Sequence, residues 1–167
     1  MSEAAHLATA LTEYVSNPDN GAFASFSAAI DGLSAAQAAT VPGERMNSVW
    51  AVVNHVWFWN EVPLRKLRGE PFEPGDLGAT DWSGWVPMGD PADEAAWQAA
   101  RDRALESNAA FAAAVAELTP EQLAADLLGW GPAHSIIQGM ITHNSYHTGE
   151  IITLRHAQQL WVNNKNV

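Results

Sequence analysis

The chain has 167 residues, 47% of them hydrophobic and 16% charged, which suits one globular domain with a sizeable core and excludes a disordered chain. Acidic residues outnumber basic ones 19 to 8, for a formal charge of −11; nucleic acid is therefore a poor partner, because phosphate contacts need clustered Lys and Arg. No cysteine is present, which rules out disulfides, thiolate metal ligands and a cysteine nucleophile together.

The chain opens Met1-Ser2-Glu3-Ala4-Ala5-His6, with no basic stretch leading into an apolar one, and no apolar run reaches the length of a membrane span. The expectation is a cytoplasmic protein with no membrane partner, folded as a single domain over residues 1–167. Ala-rich stretches with few β-branched runs predict helices. A first helical segment covers about residues 3 to 33, broken near Asn17-Pro18-Asp19-Asn20-Gly21. Ser34-Ala35-Ala36-Gln37 matches a capping box and predicts a short helical turn. A second helix starts at Asn47 or Ser48 and runs to about Arg68, where Gly69 ends it. It is apolar almost all round, as a central helix is. Arg65, Lys66 and Arg68 sit where its dipole favours cations.

Residues 69 to 90 hold too many Pro and Gly for a helix, and a connection this long is usually functional or a crossover. Trp82 and Trp85 within it are expected to pack as a lid. A third helix opens at Asp90-Pro91-Ala92-Asp93, with Asp as cap and Pro in the first turn, and runs to about Leu118. Thr119-Pro120-Glu121-Gln122 repeats the capping-box pattern. Gly129 to Pro132 breaks the chain before a last helix, about His134 to Leu160, and Asn163 to Asn166 form a polar tail. The fold expected is all-α, a four-helix bundle with long crossover connections, in which ligand and metal sites form between facing helices.

Of six histidines, His143 and His147 stand four apart on the last helix and so project from one face, about a turn from each other. Ile136, Met140, Ile151 and Leu154 lie on or near that face, which turns the pair towards the core. Buried imidazoles need partners for their nitrogens, and one divalent metal ion satisfies that need directly. Two ligands on one helix require a third from elsewhere. His55 is the only other histidine placed mid-helix among apolar neighbours, with Val52 and Trp59 on its own face; alone it reads as readily as a hydrogen-bonded core residue. His134 and His156 project off the paired face and His6 lies near a terminus, so solvated or capping roles are expected for all three.

The string His143-Asn144-Ser145-Tyr146-His147-Thr148-Gly149-Glu150-Ile151, taken with His55, resembles the DinB-like (DinB/YfiT) superfamily. Members carry H-x-x-x-H on the final helix, often within H-N-x-x-H-x-G-Q-I, and one earlier histidine on the second helix. The Leu33-Ser34-Ala35-Ala36-Gln37 turn, the Trp-rich second helix and the Gly131-Pro132 entry to the last helix extend the likeness over nearly the whole chain. The resemblance implies a bundle of four helices, commonly a homodimer, binding one divalent metal through three histidines: by position His55, His143 and His147. Glu150 departs from the pattern, standing where many relatives have Gln. It is expected to orient His147 through a hydrogen bond, or to be solvated, rather than to ligate.

Three neutral imidazoles leave an ion its full charge and an open position, the pattern of a catalytic site. Zn and Ni are the leading candidates, with Fe, Mn and Cu behind them. The open position can activate water or take a thiol from outside, since the chain has none. Relatives include transferases and isomerases that use mycothiol, bacillithiol or glutathione. The resemblance thus implies a low-molecular-weight-thiol S-transferase acting on a small-molecule substrate. A metal-dependent hydrolase, a non-catalytic metal- or ligand-binding stress protein, and a bundle whose histidines are relics are the alternatives. Tyr146, Asn144, Arg155, Asp81 and Glu61 qualify as further catalytic groups by type only, Arg155 as a partner for an acidic substrate. The far face of the second helix (Val53, Trp57, Leu64) needs cover, from another helix or from a second copy.

Overall fold

The computed structural model describes residues 1–17 and 23–161. Among them lie α1 (Glu3–Val15), α2 (Phe26–Ile30), α3 (Ala35–Ala39), α4 (Val49–Arg68), α5 (Glu94–Ala116), α6 (Pro120–Ala124) and α7 (Ala133–Ala157), with a 3-10 turn over Pro74–Leu77. No strand forms among the described residues; one isolated backbone bridge joins Asp126 and Pro132. No described helix is long and apolar enough to cross a membrane.

Local chemistry sets the starts of these helices. Ser2, Ser25, Ser34, Ser48, Asp93 and Thr119 each place a side-chain oxygen on a free N–H of the first turn, replacing a bond the helix cannot make for itself. The capping boxes expected at Ser34/Gln37 and Thr119/Gln122 are both formed. Ser48 rather than Asn47 caps α4, and Gly69, at φ 70, ends it after three basic residues in the last turn.

The first segment is two helices, as its break implied, with Ser25 capping a separate α2; residues 18–21 of that break lie outside the described residues, as does the 163–166 tail. Two boundaries differ from expectation. Asp90 does not cap α5. Its carboxylate takes the Ala92 N–H in a tight turn that holds Pro91, and Asp93 caps the helix instead. The last helix stops at Ala157, since Gln159 turns to φ 60 and the Leu160 N–H returns to the Arg155 carbonyl.

The long helices pack in a ring, α1 against α5, α5 against α4, α4 against α7, and α7 back on α1. Two apolar clusters fill it. One gathers Phe26, Trp50, Phe58, Trp97, Ile151 and Leu154; the other gathers Leu11, Leu64, Phe111, Ile137 and Met140. Each fully buried large side chain contributes about 1.5–3 kcal/mol by leaving water. The far face of α4 is covered within the chain: Val53, Trp57 and Leu64 are all buried, and the Arg103 guanidinium of α5 lies 3.7 Å over the Trp57 ring. That face gives no reason for a second copy.

Along α5 and α7, buried polar side chains separate the two clusters: Ser107 and Asn108 on α5, Asn144, His147 and Thr148 on α7. Asn60 of α4 joins this layer through a 3.0 Å bond from Asn144 Nδ2, and Asn108 Nδ2 donates to the Leu11 carbonyl of α1 at 3.1 Å. These two bonds tie α4 to α7 and α5 to α1.

The 69–90 connection docks along α4. Asn54 donates to the Pro87 carbonyl at 2.9 Å and accepts from Arg103 at 3.1 Å, while Trp59 Nε1 donates to Ser83 O. Gly84 sits at φ 74, and a Cβ there would lie 2.5 Å from Phe58 and 2.7 Å from Trp59. Gly84→Ala is therefore expected to destabilise by about 1–3 kcal/mol through overpacking and backbone strain. A lower urea midpoint at unchanged m-value checks this, and an unmoved midpoint would contradict it.

Candidate metal centre

The structure brings His55 of α4 together with His143 and His147 of α7. One ring nitrogen from each lies within 4.8 Å of the others, and the Nε2 atoms of His55 and His143 are 3.3 Å apart. Each of the other nitrogens is spoken for. His55 Nδ1 pairs with the Gly84 carbonyl at 3.2 Å, His143 Nδ1 with Asn144 Oδ1 at 3.3 Å, and His147 Nδ1 with Glu150 Oε2 at 2.7 Å. A carbonyl or carboxylate oxygen can only accept, so Nδ1 carries the proton and each Nε2 presents a lone pair to the shared centre.

Burial of the trio and the mutual repulsion of its members push His55 and His143 down to about 4; both are neutral at physiological pH. Lone pairs of neutral imidazoles facing one another at 3.3 Å repel unless a cation lies between them. A tetrahedral ion with bonds of about 2.0–2.1 Å spaces its ligands roughly 3.3 Å apart. The donor set thus fits a divalent ion, and no carboxylate needs to ligate.

One carboxylate oxygen of Glu150 accepts from His147 Nδ1. Its second oxygen accepts from Asn47 Nδ2 at 2.8 Å, and these two bonds, His147 first, hold its carboxyl below the usual range. Such carboxylate–histidine pairs fix the ring and strengthen the opposite nitrogen as a donor. The two tryptophans expected to pack as a lid part company. Trp85 stacks on His55 with centroids 4.1 Å apart, whereas Trp82 packs on Phe72.

The other candidates separate. Asn144 and Tyr146 adjoin the trio, Asn144 through His143 and Tyr146 edge-on to His147 at 5.1 Å. Arg155 is not a substrate cation. It is buried, donating to the carbonyls of Ala29, Asp31 and Leu160 at the ends of α2 and α7. Asp81 holds the Ser83 N–H and Glu61 pairs with Arg65. His134 lies off the centre against Leu123 and Ser135, and His6 and His156 are exposed.

Sequence reasoning missed Gly84, Asn47 and Asn60. Asn54 and Asn60 did carry a signal, since an amide in an otherwise apolar helix must find partners. The glycine and Asn47 carried none.

Residues 21–151 match the family model of the DinB superfamily, and the chain belongs to that superfamily. No curated protein and no solved structure matches it.

The two depressed histidines set a pH dependence. Unfolded, they take up protons near pH 6.5; folded, only near pH 4. The unfolded chain binds more protons between those values, so the metal-free protein loses stability as pH falls from about 6.5 to about 4. Urea midpoints across that range check the slope, with His143→Gln expected to flatten it; a midpoint rising towards pH 4 would contradict the assignment.

Proposed function

We propose that the chain binds one divalent metal ion through Nε2 of His55, His143 and His147 and serves as a metal-dependent enzyme, a low-molecular-weight-thiol S-transferase acting on a small molecule. The metal reading is carried by one observation: three Nδ1 atoms are committed to protein oxygens and their Nε2 partners converge. Zn or Ni suits an all-imidazole set. When bound, an ion with three neutral ligands keeps its charge and an open position, and lowers the pKa of the thiol or water that takes it.

The chain's own groups supply the rest. Glu150, tethered by Asn47, holds the His147 ring. Trp85 covers one face of His55 and keeps water from it. Beside the trio, Arg45, Asn47, Tyr146 and Glu150 line an open groove of about 540 Å³, enough for a small substrate. The thiol reading rests on membership of the superfamily together with the absence of cysteine, which requires any sulfur nucleophile to come from outside.

Untagged protein is expected to hold close to one equivalent of metal, as purified or after add-back, by elemental analysis. His143→Ala and His147→Ala lose it while keeping their helical circular dichroism. Glu150→Gln weakens affinity by about 10–100-fold. A chain that neither retains nor takes up metal would contradict the reading. A panel of small thiols with an electrophile then tests turnover: metal-dependent thiol consumption supports S-transfer, and ester cleavage without thiol consumption replaces it with hydrolysis.

A further inference from the structure

Few cations of this acidic chain are free to meet a ligand. Arg65 pairs with Glu61, Arg101 with Asp31, Arg103 lies on Trp57, and Arg155 is buried among backbone carbonyls. Lys66 and Arg68 sit in the last turn of α4, where the helix dipole holds them. The Arg45 guanidinium makes no ion pair or hydrogen bond among the described residues, and Arg45 is the one cation lining the groove beside the histidine trio.

That groove has two sides. The loop before α4 supplies Arg45, Met46 and Asn47; α7 supplies Tyr146, Gly149 and Glu150. Most of its polar groups are already engaged. Asn47 donates to one Glu150 oxygen, His147 to the other, and the Thr153 hydroxyl to the Gly149 carbonyl. The guanidinium and the exposed Tyr146 hydroxyl are left over. A guanidinium has five donors and no acceptor, so its complement must bring acceptor oxygens, and a planar carboxylate takes two of its N–H groups in parallel. Arg45 is also held at φ 64, a conformation rare outside glycine and one that gathers at ligand sites.

Gly149 is the second observation. It lies inside α7, where glycine weakens a helix relative to alanine. A Cβ there would meet nothing within 4 Å, and its φ is not positive. Neither packing nor backbone geometry within the chain calls for glycine, and the space that a side chain would fill belongs to the groove.

We infer that this groove binds a small carboxylic acid, its carboxylate forked on Arg45 and its apolar body against Met46 and Tyr146 over the bare backbone of Gly149. That the acid is the substrate rests on the metal reading above; its binding does not. The cavity of about 540 Å³ has room for such a molecule.

The test titrates benzoate and its uncharged counterpart benzamide into the full-length chain, metal-free and with one equivalent of zinc. The backbone amide resonances of Asn47, Gly149 and Glu150 report binding in the groove. Benzoate is expected to bind about fivefold more tightly than benzamide, the upper range of an exposed ion pair, and Arg45→Gln to bring the ratio to about one. Gly149→Leu fills the groove and is expected to weaken benzoate by about tenfold. Its urea midpoint stays at or above that of the wild type, which separates blockage from misfolding. Equal binding of the two probes, a preference that Arg45→Gln leaves intact, or unchanged benzoate affinity in Gly149→Leu overturns the acid groove. So does a wild-type dimer that ignores benzoate and dissociates in Gly149→Leu, because α7 then serves a subunit contact. A chain that never takes up zinc yet keeps the Arg45-dependent preference overturns the metal reading and supports the groove.

Discussion

Donation from each Nδ1–H to a protein oxygen is the interaction on which the site depends. Three imidazoles in an apolar interior could satisfy themselves in many ways, and most would point a proton at the centre. Here the acceptors are a backbone carbonyl, an amide oxygen and a carboxylate, of Gly84, Asn144 and Glu150. Three different kinds of group enforce one tautomer. Burial then removes the protonated alternative for His55 and His143, so the lone pairs stay directed inward.

Each acceptor is in turn held by the fold. Gly84 belongs to the long connection, which Asn54 pins through the Pro87 carbonyl. Asn144 is fixed by Asn60 across the α4–α7 contact. Glu150 is held by Asn47, one residue before the cap of α4. Leaving such a buried polar group unpaired costs about 1–3 kcal/mol, so the network that positions the histidines also sets the register of the helices that carry them. Moving a helix by one residue would break both at once.

Local periodicity made part of this legible. The four-residue spacing of His143 and His147, the boxes at Ser34 and Thr119, and the Gly69 stop are short-range facts, and the structure follows them. His55 needed the family pattern, because one histidine in an apolar helix looks the same whether it ligates or packs. The connection at 69–90 was opaque for a physical reason. Its turns are fixed by partners such as His55 and Asn54, some thirty positions away, and no neighbouring residue encodes them. The same holds for Asn60 and Asn47, whose partners on α7 lie 84 and 103 positions along the chain. Asp90 and Asp93 are equal as caps by composition. Only the tight turn around Pro91 decides between them.

The tautomers can be read directly. Long-range proton–nitrogen correlation spectra of the histidine rings in metal-free protein at neutral pH report which nitrogen carries the proton. The account predicts Nδ1–H for His55, His143 and His147, with all three Nε2 resonances moving when one equivalent of zinc is added. Nε2–H rings at these positions, or Nε2 resonances that zinc leaves in place, would contradict it.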